Sequence, residues 1–241
     1  MGKETGISWT TATANESFGC RQVDEACKKC YMFRLREKWG EKGDDIKRFN
    51  LQRLSKRIAS WPKEKNLVFL DDMTDLFGEF NSYDYIRQVF DVVILPNQNR
   101  EFQLLTKRIG RALIFFRDHW KGQIPQNVWI GCSIGEKSRV FRLGQLKAIK
   151  ALGAKIVYVS FEPLIERLGE FSMSGIDWAI VGGESDETNP RPMNIEWAED
   201  IRHICERDGT AFYFKQIGGK GGNGAGGDRL NGKTYKNYPK L

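Results

Sequence analysis

Three of the chain's five cysteines, Cys20, Cys27 and Cys30, fall within the stretch "GCRQVDEACKKCYMF" at residues 19–33, with the spacing C-x6-C-x2-C. Thiolates this close together are metal ligands by type. A structural zinc takes four nitrogen or sulfur ligands, and the fourth would have to come from His119, His203, Cys132 or Cys205, all far downstream. A cubane [4Fe–4S] cluster can instead rest on three thiolates and leave its fourth iron open to a small molecule. The spacing by itself leaves both metals open.

A second set of polar residues follows a series of apolar runs. "NLVFLDD" ends in Asp71 and Asp72 with Asp75 beyond, and "FQLLTKR" ends in Thr106, Lys107 and Arg108. "NVWIGCS" ends in Cys132 and Ser133, "KIVYVSFEP" in Ser160 and Glu162, "IDWAIVGGES" in Glu184 and Ser185, and "AFYFKQ" in Lys215 and Gln216. Carboxylates, cations and hydroxyls at six successive run ends are what a shared pocket requires. In parallel α/β folds the C-terminal strand ends form the site. Lys107 and Arg108 suit a carboxylate or phosphate, and Glu162 suits ribose hydroxyls or proton transfer. Cys132 and Cys205 read as small core residues.

The elements that must carry these groups follow from periodicity. Short continuous apolar runs alternate with segments of helical spacing, such as "YDYIRQVFDVVILP" and "IEWAEDIRHICERDG". Runs without alternation mean strands buried on both faces, hence an α/β class with a parallel sheet. Six strands fall between Leu67 and Gln216, and a first one is expected at "GISWT". About six to seven strands suit a complete or partial parallel (β/α) barrel. A single domain over residues 1–217 is expected, followed by a Gly-rich flexible tail over 218–241 with no helix or stable strand through its middle.

Composition narrows the partners. The net charge is +7, from 38 Lys and Arg against 31 Asp and Glu, which favours a polyanion such as DNA or a nucleotide. No apolar run reaches the roughly 20 residues of a membrane helix, and "MGKETGISWT" has no apolar leader segment. An odd, clustered set of cysteines fits the reducing cytoplasm.

Several strings in order carry a resemblance: "ISWTTATANESFGCRQVDEACKKCYMF", "MTDLF", "LLTKR", "SFEPL", "VGGES", "RPMNIEW", "FYFKQIGG" and "RLNGKTYKNYP". Over nearly its whole length the chain resembles the phage Gp37/Gp68 family, also called DUF5131, whose members are similar to radical S-adenosylmethionine (SAM) enzymes with a modified three-cysteine motif. Three extra residues separate the first two cysteines from the usual C-x3-C-x2-C spacing. "TANE" stands at residues 13–16 where the family typically has "TWNP", and Glu25-Ala26 replaces a Pro-Gly. The three thiols are retained.

The resemblance implies a radical SAM enzyme of the barrel type, with a [4Fe–4S] cluster on Cys20, Cys27 and Cys30 and SAM on the open iron. It implies SAM or substrate contacts from Tyr31, Asp71, Asp72, Lys107, Arg108, Ser133, Glu162, Glu184 and Lys215. Asp71 or Asp72 would meet the SAM amino group, and Glu184 the substrate or ribose. An electron donor of flavodoxin or ferredoxin type would be needed. A phage setting implies a nucleobase, nucleotide or DNA as substrate, as in thymine hypermodification. The competing readings are a zinc-stabilised nucleic-acid-binding protein and a radical-based DNA repair enzyme.

Overall fold

The apolar runs pair side by side in the order in which they occur. The computed structural model describes residues 5–120 and 122–240, so residues 1–4 of the expected domain and Leu241 of the expected tail lie outside the described residues. The main sheet consists of β1 (Ala12–Ala14), β2 (Leu67–Leu70), β3 (Glu101–Thr106), β4 (Val128–Ser133), β5 (Ile156–Phe161), β6 (Trp178–Gly182) and β7 (Ala211–Gln216), in that spatial order. Every adjacent pair is parallel. Such pairs need crossovers. The described helices are α1 (Tyr31–Lys38), α2 (Leu51–Ala59), α3 (Tyr83–Val89), α4 (Ile109–Ile114), α5 (Arg142–Ala151) and α6 (Ile195–Asp208). β1 and β7 end the sheet without pairing to each other, so the fold is a partial barrel.

The first strand lies later than "GISWT". Ile7 to Thr10 forms a turn, and the strand follows at Ala12–Ala14. The aromatic ring of Trp9 is the reason the apolar signal appears early: it packs on Phe69 at 4.7 Å rather than sitting in the sheet. Helix ends obey local chemistry. Asn50 caps α2 by accepting from Arg53 N at 2.9 Å, and Asn194 caps α6 by accepting from Glu196 N at 2.9 Å. Gly209 ends α6 in the left-handed conformation, with φ 72°.

Alternate residues of each strand face two different cores. One side, with Val157, Val159 and Phe161 of β5, packs against the apolar stripes of α2 to α6. The other holds Phe69, Trp129, Ile156, Tyr158, Trp178, Ile180 and Tyr213, joined by Trp9. The hydroxyl of Tyr213 donates to Ser8 O at 2.9 Å, and Thr10 donates to Leu67 O at 2.9 Å. Residues 8–10 thereby bridge the last strand to β2 across the open side.

The two ends of the glycine-rich segment are built onto neighbouring strands, while residues 221–228 form neither helix nor strand, as its composition leads one to expect of its middle. Gly219–Lys220 pairs in parallel with Ser185–Asp186, Phe214 N donates to Tyr235 O at 2.8 Å, and Trp178 Nε1 donates to Asn237 O at 2.8 Å. Glycine serves close approach here. A Cβ on Gly218, at φ 91°, would stand 2.6 Å from Glu184 O. No helix among the described residues is long and apolar enough to cross a membrane.

Candidate functional site

An open cavity of about 610 Å³ lies over the C-terminal strand ends. Its lining brings together Asp71, Asp72, Lys107, Arg108, Ser133, Ser160, Glu162, Glu184, Lys215 and Gln216 with Cys20, Cys27, Cys30 and Tyr31. The polar run ends therefore share one pocket. The thiols enter it because the chain leaves the short β1 at the C-terminal edge, pairs Ser17–Phe18 with Lys47–Arg48, and then turns into the cysteine loop, with Gly19 N donating to Met73 O at 3.2 Å. Helix α1 follows, and its residues from Tyr31 to Leu35 and Lys38 form another wall. Arg34 pairs with Asp186 at 2.8 Å and Lys38 with Glu187 at 3.0 Å, tying that wall to the segment after β6.

Three guanidinium groups hold the cysteine loop by alternate carbonyls. Arg108 Nη2 donates to Arg21 O at 2.8 Å, Arg139 Nη2 to Val23 O at 3.3 Å, and Arg191 Nη1 to Glu25 O at 2.9 Å. A fourth, Arg142, pairs with the loop's Asp24 at 2.9 Å while donating to Ser133 O at 2.7 Å. Burial acts to raise the Asp24 carboxyl, but Lys107, the Cys27 thiol and Arg142 outweigh it and hold it below the usual carboxylate range. Sequence reasoning missed Asp24, Arg139, Arg142 and Arg191. Their signal is weak because each partner lies remote along the chain; only the pairing of a loop acid with cations at strand ends hints at it.

The partners of the remaining groups sort them into engaged and available. Arg108 lines the cavity but is 7% exposed and is held by Asp75 at 3.0 Å and by Glu79, so its charge is already engaged and it orients the loop. Glu184 is likewise saturated: its carboxylate takes the Arg191 Nε and backbone N–H, the latter at 2.8 Å. Lys107 is different. Among the described residues its ammonium has no ion-pair partner, and it acts on Asp24 and Cys30 through its charge alone. Glu162 and Lys215 pair at 2.9 Å, and Ser160 Oγ donates to Glu162 Oε2 at 3.2 Å. Asp72 accepts from Asn15 at 2.6 Å and from the Tyr31 hydroxyl at 3.1 Å.

Asp71 is 3% exposed and has φ 75°, with Oδ1 accepting from Glu16 N at 3.0 Å and Oδ2 without a partner among the described residues. Burial and the nearby Glu16 carboxyl push it well above its ordinary range. Glu16, also raised by burial, accepts from Ser17 at 3.0 Å and from the Tyr85 hydroxyl.

The thiols suit a cluster by donor type. All three line one cavity, while Cys132 and Cys205 are buried in the core between sheet and helices. His119 stacks on Tyr83 at 4.0 Å, outside the cavity lining, and His203 is also outside it. Burial and Asp75 push the Cys20 thiol up to about 12, against the lowering effect of Arg108. Cys30 is raised by burial. Cys27 Sγ faces Asp24 Oδ1 at 3.2 Å and Cys20 Sγ faces Arg21 O at 3.6 Å. Among the described residues no three His, Cys, Asp or Glu form a metal-holding group. Ligation therefore requires these thiols to turn from their present partners toward the cavity.

Fold and site together define an α/β partial barrel with a thiol-lined polar cavity at its C-terminal strand ends. The family model described as "Protein of unknown function (DUF5131)" matches residues 4–239, and the chain belongs to that family. No curated protein and no solved structure matches it.

Proposed function

We propose that the protein is a radical SAM enzyme acting on a nucleobase, nucleotide or DNA. The observation that carries this reading is that three thiols from one loop line the same cavity as the cation, acid and hydroxyl groups of successive strand ends. Cys20, Cys27 and Cys30 would hold a [4Fe–4S] cluster. With SAM bound, that cluster supplies reductive cleavage to methionine and a 5′-deoxyadenosyl radical, given one electron from a flavodoxin- or ferredoxin-like donor.

The chain's own residues then bind and orient. Lys107, free of a carboxylate partner among the described residues, would take the methionine carboxylate or a phosphate. Asp72, oriented by Asn15 and Tyr31, would accept from the SAM ammonium. The Glu162–Lys215 pair would hold ribose hydroxyls, with Glu162 able to move a proton. Arg108 and Glu184 contribute by positioning the loop. The zinc alternative receives no fourth thiol or imidazole from the cavity lining.

Anaerobic reconstitution should yield about four irons and four sulfides per chain, and SAM with dithionite should yield 5′-deoxyadenosine. Cys27→Ala should abolish both, while Cys205→Ala retains them. Stoichiometric zinc after anaerobic isolation, with no charge-transfer absorbance on reconstitution, would overturn the reading.

A further inference from the structure

The chain's positive charge is concentrated. Residues 34–65 hold eleven Lys and Arg against five Asp and Glu, and so account for six of the seven net charges. Part of this is neutralised: Arg34, Arg36, Lys38 and Lys47 have carboxylate partners. Arg53, Lys56 and Arg57, on the exposed face of α2, have none among the described residues, and neither has the exposed Lys42. Their spacing of three and four places the α2 cations on one face, opposite the buried Leu51, Leu54 and Ile58.

Aromatic rings stand at the start of that face. Trp39 is 51% exposed and Phe49 37% exposed. Phe18 packs between them, with ring centroids 5.9 Å from Trp39 and 4.9 Å from Phe49. A hydrophobic core gains nothing from holding such rings in water. Phe49 directly precedes the Asn50 cap of α2, and Trp39 directly follows α1, whose Phe33, Leu35 and Lys38 line the cavity. The segment joining the two rings touches the cysteine loop, since Cys20 N donates to Gly43 O at 2.9 Å. Rings that bases can stack on, next to unpaired cations that follow a backbone, are the two parts of a single-strand site.

We propose that Trp39 and Phe49, with the cationic face of α2, form a docking surface for a single-stranded polynucleotide that delivers a base to the thiol-lined cavity. Duplex would satisfy the cations but hide its base faces from the rings. An acidic protein would satisfy the charge without needing flat stacking surfaces. As a substrate assignment the inference rests on the radical chemistry proposed above; the binding itself does not, and it is measured without SAM or reductant.

The test is fluorescence anisotropy on the full chain with a labelled DNA single strand of roughly 20 nucleotides, longer than one such site. The same sequence is run as RNA and as duplex, with a mononucleotide and polyglutamate as competitors. Single strands should bind more tightly than duplex, and the better of DNA and RNA names the sugar of the substrate. Trp39→Ala and Phe49→Ala should each weaken binding about 5- to 100-fold with the salt dependence unchanged, and Trp39→Phe should restore most of it. The triple variant Arg53→Gln, Lys56→Gln, Arg57→Gln should lower the slope of log affinity against log salt by about 2. Arg117→Gln, whose side chain lies on Asp118, should change nothing.

Binding of single strand no tighter than mononucleotide, wild-type binding by Trp39→Ala, equal affinity for duplex, or equal competition by polyglutamate would each overturn the proposal. Strand binding that persists in a chain unable to make 5′-deoxyadenosine would sink the radical reading and leave this surface standing. Full 5′-deoxyadenosine formation with no strand binding would do the reverse.

Discussion

The concave side of the sheet carries two layers that differ in everything but their strands. In β5 the lower layer receives Ile156 and Tyr158, and the upper receives Ser160, with Glu162 just beyond. In β7 the same step separates Tyr213 from Lys215, and in β4 it separates Trp129 and Gly131 from Ser133. Two residues of strand, about 6.6 Å, change a stack of rings into a set of charges. Trp178 is the centre of the lower layer, with ring centroids 6.2 Å from Trp9, 6.0 Å from Trp129, 5.7 Å from Tyr158 and 5.9 Å from Tyr213. A floor of packed rings closes one approach to the groups above. Fields there act through a medium poorer in water than the open mouth, so each charge counts for more. Packing belongs to the lower layer and the polar groups of the cavity to the upper, although neighbouring residues of one strand supply both.

The sharpest way to break this division is to empty the floor. Trp178→Ala should cost about 3–5 kcal/mol in urea denaturation, whereas Ser160→Ala, one layer up, should cost about 1 kcal/mol or less. Equal losses would erase the distinction. A smaller effect comes from filling space. A Cβ on Gly131 would stand 2.4 Å from the Tyr158 ring, so Gly131→Ala should cost about 1–3 kcal/mol by forcing that ring out of place. An unchanged unfolding midpoint would mean that the floor yields and is not rigidly packed.

The smallest expected effect is a pH dependence at the upper layer's edge. Burial and Glu16 raise the Asp71 carboxyl in the folded chain, so the fold keeps a proton that the unfolded chain releases near pH 4. Native stability should therefore fall as pH rises above about 4, until Asp71 also ionises in the folded state. Asp71→Asn removes this loss, and asparagine tolerates the positive φ found there. Relative to wild type the variant should gain on the order of 1 kcal/mol between about pH 5 and pH 7, read from thermal unfolding across pH. A constant difference would mean that Asp71 is charged in the fold despite its burial.

Six of the strands were legible in sequence because a strand buried on both faces is a continuous apolar run, as "KIVYVSF" is. The first was misplaced because Ala12–Ala14 has little apolar content, while the Trp9 signal belongs to a turn that fills the floor. The gathering of Asp72, Lys107, Ser133, Glu162 and Lys215 followed from parallel topology, which turns all C-terminal strand ends one way. The use made of Arg108 and Glu184 did not. Each is absorbed by a partner, Asp75 and Arg191 respectively, and residue type alone cannot distinguish a charge that meets a ligand from one that braces a loop. The glycine-rich segment was legible in its middle, which forms neither helix nor strand, but not in its ends, which pair with neighbouring strands. Composition reports the backbone's freedom, not the carbonyls that Gly218 must pass.

The arginine grip on the cysteine loop also sets an order in time. The carbonyls of Arg21, Val23 and Glu25 emerge from the ribosome early, but the guanidiniums that hold them follow as residues 108, 139 and 191. At about 5–20 residues per second, the 166 residues between Glu25 and Arg191 take roughly ten to thirty seconds to make. Until then the loop lacks at least one of its three guanidinium partners. The three contacts can be completed only once residue 191 has been made, so the full grip on the thiol loop is available only after about four-fifths of the chain is synthesised.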